Sequence, residues 1–108
     1  MKKQRAKIFN NGILAGYLSK VDGEYFFIYD REYFQNTTLP PISLTLPKSK
    51  TEYKSKILFP FFFGLLAEGE NKKIQCRTLK IDEKDHFNRL MKTANSETIG
   101  AITVHEDI

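Results

Sequence analysis

A chain of 108 residues, 41% hydrophobic and 28% charged, is long enough to bury one core without disulfides and too apolar to stay disordered. Its 17 basic against 13 acidic side chains leave a net charge of +4, which excludes a histone-like polycation and permits nucleic acid without requiring it. The lone Cys76 and the polar start Met1, Lys2, Lys3, Arg5 exclude a disulfide framework and a secretion signal, so one domain over 1–108 in a reducing cytoplasm is predicted.

The first element predicted is a hairpin over 8–18. Ile8 and Phe9 lead into Asn10, Asn11 and Gly12, and Ile13 to Leu18 follow. Asn-Gly accepts the positive φ that both centre positions of a type I′ turn require. A second turn at Asp22 and Gly23 precedes Tyr25, Phe26, Phe27, Ile28 and Tyr29. That run is apolar on both faces, which predicts a central strand covered on both sides. Asp30 to Gln35 reads as one helical turn. Ile42, Leu44 and Leu46 alternate with Ser43 and Thr45 and are closed by Pro47, predicting a strand over 42–46.

Beyond Leu58 the spacing turns helical. The run from Leu58 to Ala67 is the most apolar in the chain, yet far shorter than the roughly 20 residues that span a bilayer. Pro60 fits the first turn of a helix over 59–67, with Gly69 as its stop. Phe59, Phe61, Phe62 and Phe63 then point in several directions, more than a one-sided core buries. A second helix over 70–80 carries acids early and bases late, as the helix dipole prefers. Asp82 is the predicted N-cap of a third, in which Phe87, Leu90, Met91 and Ala94 share one face. Ile99 to His105 closes the chain as a strand. The fold class is α+β: a small, mainly antiparallel sheet made of the N-terminal hairpin, two further strands and the closing strand. About three helices fall between the last two strands.

Catalytic chemistry is missing from this pattern. The two histidines, His86 and His105, and the single Cys76 provide no metal-ligand spacing, and Cys76 reads as a small core residue. His105, Glu106, Asp107 has the look of a kinase catalytic loop, but no Asn ligand, second metal-binding Asp or phosphate-covering loop accompanies it. Asp82, Glu83 and Asp85 form an acidic helix start that the dipole explains. No cofactor and no enzymatic activity are implied.

The order of several segments is distinctive. Tyr29-Asp30, then Pro41 to Pro47, then Phe61-Phe62-Phe63-Gly64-Leu65-Leu66-Ala67-Glu68-Gly69, then Ile99-Gly100-Ala101-Ile102 resembles the N-terminal subdomain of HipA-type Ser/Thr kinases, from Ile8 to Val104. As a separate chain, such a subdomain is similar to the HipS antitoxins of HipBST toxin–antitoxin systems. The resemblance implies that a HipT-type kinase lacks this subdomain and is bound and restrained by it, beside a DNA-binding HipB. It implies a kinase-facing set of Phe62, Leu66, Ala67, Glu68, Gly69, Glu70, Asn71 and Lys73. Two positions depart from the family pattern: Ala67 stands where Pro is usual, and Glu70 stands where some relatives place a pocket-plugging Trp, a residue this sequence lacks altogether. Inhibition without that plug leaves two routes, restraint of kinase-lobe motion or competition by the acidic corner near a phosphate site.

Two other readings stay open at this stage. The basic groups at Lys2 to Lys7, Lys48 to Lys56 and Lys72 to Lys80 would make phosphate contacts in a repressor complex, although no Arg-aromatic interleaving marks a groove. Alternatively the chain is an excised kinase subdomain.

Overall fold

The computed structural model describes residues 3–66, 69–94 and 102–107. The Asn-Gly signal produces a long hairpin: β1 (Lys3–Asn10) pairs antiparallel with β2 (Ile13–Val21), joined by Asn11 at φ 52° and Gly12 at φ 80°. The same device recurs at Asp22 (φ 50°) and Gly23 (φ 83°), which return the chain into β3 (Glu24–Tyr29). Strands β4 (Glu52–Ser55) and β5 (Ile102–Glu106) complete a five-stranded sheet of order β4-β3-β2-β1-β5, antiparallel at every pairing. The predicted fold class is thus the observed one, with α2 (Pro60–Phe63), α3 (Gly69–Leu79) and α4 (His86–Thr93) lying between β4 and β5.

Strand alternation decides which face is covered. Ala6, Ile8, Leu18, Tyr25, Phe27 and Tyr29 share one face and join one core with Phe62 of α2 and with Phe87, Leu90 and Met91 of α4. Phe87, Leu90, Met91 and Ala94 are all buried, as their helical spacing predicts. The opposite face carries Arg5, Lys7, Tyr17, Phe26 and Ile28, and Ile28 is 39% exposed, so β3 is not covered on both sides as its apolar run predicts. Cross-strand cations cover part of this face instead, with the Arg5 guanidinium 4.1 Å from the centre of the Tyr17 ring. Arg5 and Lys7 also meet Asp107, at 2.9 and 3.8 Å.

The strand predicted over 42–46 does not form. Pro40, Pro41 and Pro47 deny the segment ladder donors, and side chains take the backbone groups that remain. Ile42 N donates to the Tyr29 hydroxyl at 3.2 Å, and that hydroxyl donates to Leu46 O. Thr45 N donates to Ser43 Oγ, and Leu46 N to Ser43 O. Ile42 and Leu46 are buried, while Leu44 is left 94% exposed at the tip. The fourth strand is Glu52–Ser55 instead. After Asp30, whose side chain accepts from Tyr33 N at 3.2 Å, the predicted turn forms as α1 (Arg31–Gln35).

Helix α3 spans nearly the predicted 70–80, whereas α2 and α4 are shorter than predicted. Phe63 ends α2, because Leu65 N and Leu66 N turn back to Phe62 O and Phe63 O in a tight i→i+3 pattern. Gly69, at φ 63°, opens α3 rather than stopping the helix before it. Asp82 Oδ1 accepts from Lys84 N in a local turn, and Asp85 caps α4 by accepting from Asn88 N. At the far edge of the sheet, Val104 N donates to Ala94 O at 2.7 Å. Residues 99–101 of the closing strand predicted over 99–105 lie outside the described residues.

Burial pushes the Tyr29 phenol up to about 12, partly opposed by the bond from Ile42. A phenol held protonated in the fold favours the folded state while protonated, so its contribution is intact below pH 10 and declines as pH rises toward 12. Tyr29→Phe is expected to abolish that alkaline loss, measured as the pH dependence of urea unfolding. At neutral pH it is expected to lower stability by roughly 1–3 kcal/mol, because a buried amide and carbonyl lose their shared partner.

Candidate functional site

The predicted kinase-facing set divides between core and surface. Phe62 is fully buried, with ring centroids 5.8 Å from Phe27, 6.3 Å from Phe59 and 5.2 Å from Phe61. Leu66 is also buried. These two side chains hold α2 and the turn after it onto the sheet. Gly69, Glu70, Asn71 and Lys73 fall together on the exposed first turn of α3, where Glu70 reaches Lys73 at 3.9 Å. Ala67 and Glu68 lie outside the described residues.

Proline and phenylalanine spacing explains how the four aromatics separate. Phe59 and Phe62, three apart, turn inward at 7% and 0% exposure, and Phe61 packs against the core from its edge. Phe63 stays 41% exposed and meets the His86 ring edge-on at 5.1 Å. The excess of aromatics therefore leaves one phenylalanine outside, not several.

Helix α3 is thinly attached. Cys76 is its buried residue, tied to the following segment by Ile81 N donating to Cys76 O at 2.9 Å. Ile74 and Leu79 are 56% and 44% exposed. Lys72 reaches Glu83 at 3.9 Å. This helix presents mixed polar and aliphatic side chains to solvent directly after the acidic corner. On a helix Ile74 and Cys76, two residues apart, lie on different faces, so burial of Cys76 leaves Ile74 to solvent.

His86 Nδ1 is buried and makes no hydrogen bond among the described residues. Desolvation holds its imidazole below the usual value, reinforced by Arg89, Lys72 and Lys20 and opposed by Asp85. Among the described residues no three His, Cys, Asp or Glu side chains converge to hold a metal ion. No helix among the described residues is long and apolar enough to cross a membrane.

An antiparallel five-stranded sheet with α2 and α4 packed on one face through Phe62, Phe87, Leu90 and Met91 defines an α+β domain with a recognised family. The family described as the HipA N-terminal domain matches residues 6–105, and the chain belongs to it. A solved structure, the N-terminal domain of HipA toxin, is similar with a TM-score of 0.72 and 27% identity, covering 97% of this chain and 93% of that one. An uncharacterized protein of Haemophilus influenzae is 31% identical over 101 residues, 94% of this chain and 91% of its own length. The matched region is the N-terminal domain of HipA, not its kinase domain.

Proposed function

We propose that this chain is an antitoxin of the HipS kind, which binds a HipT-type Ser/Thr kinase and restrains it by supplying the N-terminal subdomain that kinase lacks. The observation that carries the reading is the match to the HipA N-terminal domain over 6–105, in which the kinase domain has no part. In this reading the chain itself catalyses nothing and needs no cofactor, and the phosphoryl chemistry belongs to the cytoplasmic kinase. A HipB-like DNA-binding protein joins the complex, directly or through the kinase.

The proposed contact is the corner from Leu66 to Lys73, with Phe62 fixing it from below. Its exposed acid, Glu70, stands at the N-terminal turn of α3, where a carboxylate is favoured and a basic patch of a kinase is complemented.

Exchange of Glu68 and Glu70 for Lys is expected to weaken binding to the purified kinase at least about tenfold and to lose toxin neutralisation in cells, since rejected charge at a contact costs on the order of 1–3 kcal/mol. Unchanged affinity together with unchanged neutralisation removes the corner from the contact.

A further inference from the structure

A second surface lies beside α2, away from the corner. Between the end of β4 and the start of α4, a groove of about 700 Å³ has an apolar floor formed by Tyr25, Leu58, Pro60 and Phe63. Ile57 stands at its lip, 69% exposed, and Phe63 is 41% exposed. Leu58 and Phe59 enter the core from this stretch, and Phe62 does so one turn later. The backbone that buries those three leaves Ile57 and Phe63 facing out on the same groove.

The charged side chains that line the groove are lysines, and the acids nearby, Asp22, Asp82 and Asp85, line a neighbouring depression on the far side of Lys20 and Gly23. Lys20 and Lys56 line it, no Asp or Glu does, and neither lysine belongs to an ion pair among the described residues. Lys20 rests over the Tyr25 ring at 5.5 Å. Asp85, next to His86, is engaged in capping α4. His86 closes one side, its Nδ1 buried without a partner and its ring against Phe63. The charged groups acting on it are Lys20 of β2, Lys72 of α3, and Arg89 and Asp85 of α4, a balance that disfavours the imidazolium.

We propose that this groove docks a linear segment of a partner protein in which an apolar anchor is flanked by carboxylates. The anchor covers Ile57 and Phe63, and the carboxylates meet Lys20 and Lys56, supplying the sign of charge the groove lacks. None of the residues assigned to the kinase contact lines the groove, and the test uses no kinase, so this proposal stands or falls apart from that reading.

The test titrates the isotope-labelled full chain with the peptide acetyl-Glu-Leu-Phe-Asp-Leu-Glu-amide and with its neutral counterpart, acetyl-Gln-Leu-Phe-Asn-Leu-Gln-amide. Amide shifts at Ile57, Phe63, Gly64 and His86 are expected with the acidic peptide, at an affinity about fivefold above that of the neutral one, the effect of two rim charges. The ring protons of His86 should titrate at higher pH in the complex, because an arriving carboxylate favours the imidazolium. Lys56→Glu, at an exposed position, should erase the preference without changing spectral dispersion, and Phe63→Ala should weaken both peptides alike. Equal affinity for the two peptides, shifts outside the groove, or no binding at millimolar peptide overturns the proposal. So do groove shifts that appear with protein concentration alone, which assign the surface to a second copy of the chain.

Discussion

Phe62→Ala is expected to lower the free energy of unfolding by about 3–5 kcal/mol, a large part of what a domain this size possesses, and to take partner binding with it. Phe62 is the sole fully buried residue of the four-residue α2 and touches three other phenylalanine rings, so its removal leaves a cavity where the helix meets β3. Nothing else in so short a helix replaces that anchor. Phe62→Leu separates the two roles the residue has been given. Leucine refills most of the volume and should recover all but about 1–2 kcal/mol in urea unfolding. If the ring acts only by holding the corner in place, binding recovers as well. If Phe62→Leu folds yet fails to bind the kinase, the ring itself belongs to the contact.

Gly16→Val is expected to prevent folding, seen as loss of the far-ultraviolet β signal and of soluble protein. Gly16 lies on the core face of β2, opposite Ile8 on one side and Tyr29 on the other. A Cβ there collides with the carbonyl oxygen of Ile28 and comes within 2.9 Å and 3.0 Å of two carbons of the Phe27 ring. The first obstacle is backbone, which no rotamer change removes. Moving β3 to make room displaces Phe27, which Phe62 packs on, and Tyr29, whose hydroxyl holds Ile42 and Leu46. Overpacking of flexible side chains costs about 1–3 kcal/mol, and a clash with the ladder itself exceeds that. Gly16→Ala carries the same first carbon, so it should be destabilised by several degrees in thermal unfolding; a wild-type melting point would overturn the argument.

The turns and the α4 face were legible because they depend on neighbours in sequence. Asn11-Gly12 and Asp22-Gly23 dictate their backbone by local sterics, and Phe87, Leu90, Met91 and Ala94 declare a helix by spacing alone. What failed was decided at long range. Ile42 to Leu46 has the alternation of a strand, yet its donor and acceptor are taken by a tyrosine hydroxyl 13 and 17 residues away. Glu52 to Ser55 offers one apolar side chain, Tyr53, and becomes a strand because β3 presents an unpaired edge beside it. The interleaving of arginine with aromatics that the sequence lacks appears across strands, where Arg5 and Tyr17 stack though they are 12 residues apart. Glycine punctuation misled in the other direction: Gly69 can end one helix or begin the next, and only packing of the flanking segments chooses. At the candidate site, composition located the apolar run and its acidic end, but not that Phe62 faces inward and Phe63 outward. That division depends on where Pro60 starts the helix relative to the sheet.

The bond from Val104 N to Ala94 O has a further consequence for how such a sheet lives in a crowded cell. A five-stranded open sheet has two free margins, each a template on which an identical margin from another molecule can stack. Here β4 is only four residues long and carries Glu52 and Lys54, while β5 has the amide of its middle residue already spent on the end of α4. One margin is guarded by brevity and charge, the other by occupation. Assembly of copies by strand addition is thereby discouraged at both ends, and association is left to side-chain surfaces, which discriminate between partners as bare backbone does not.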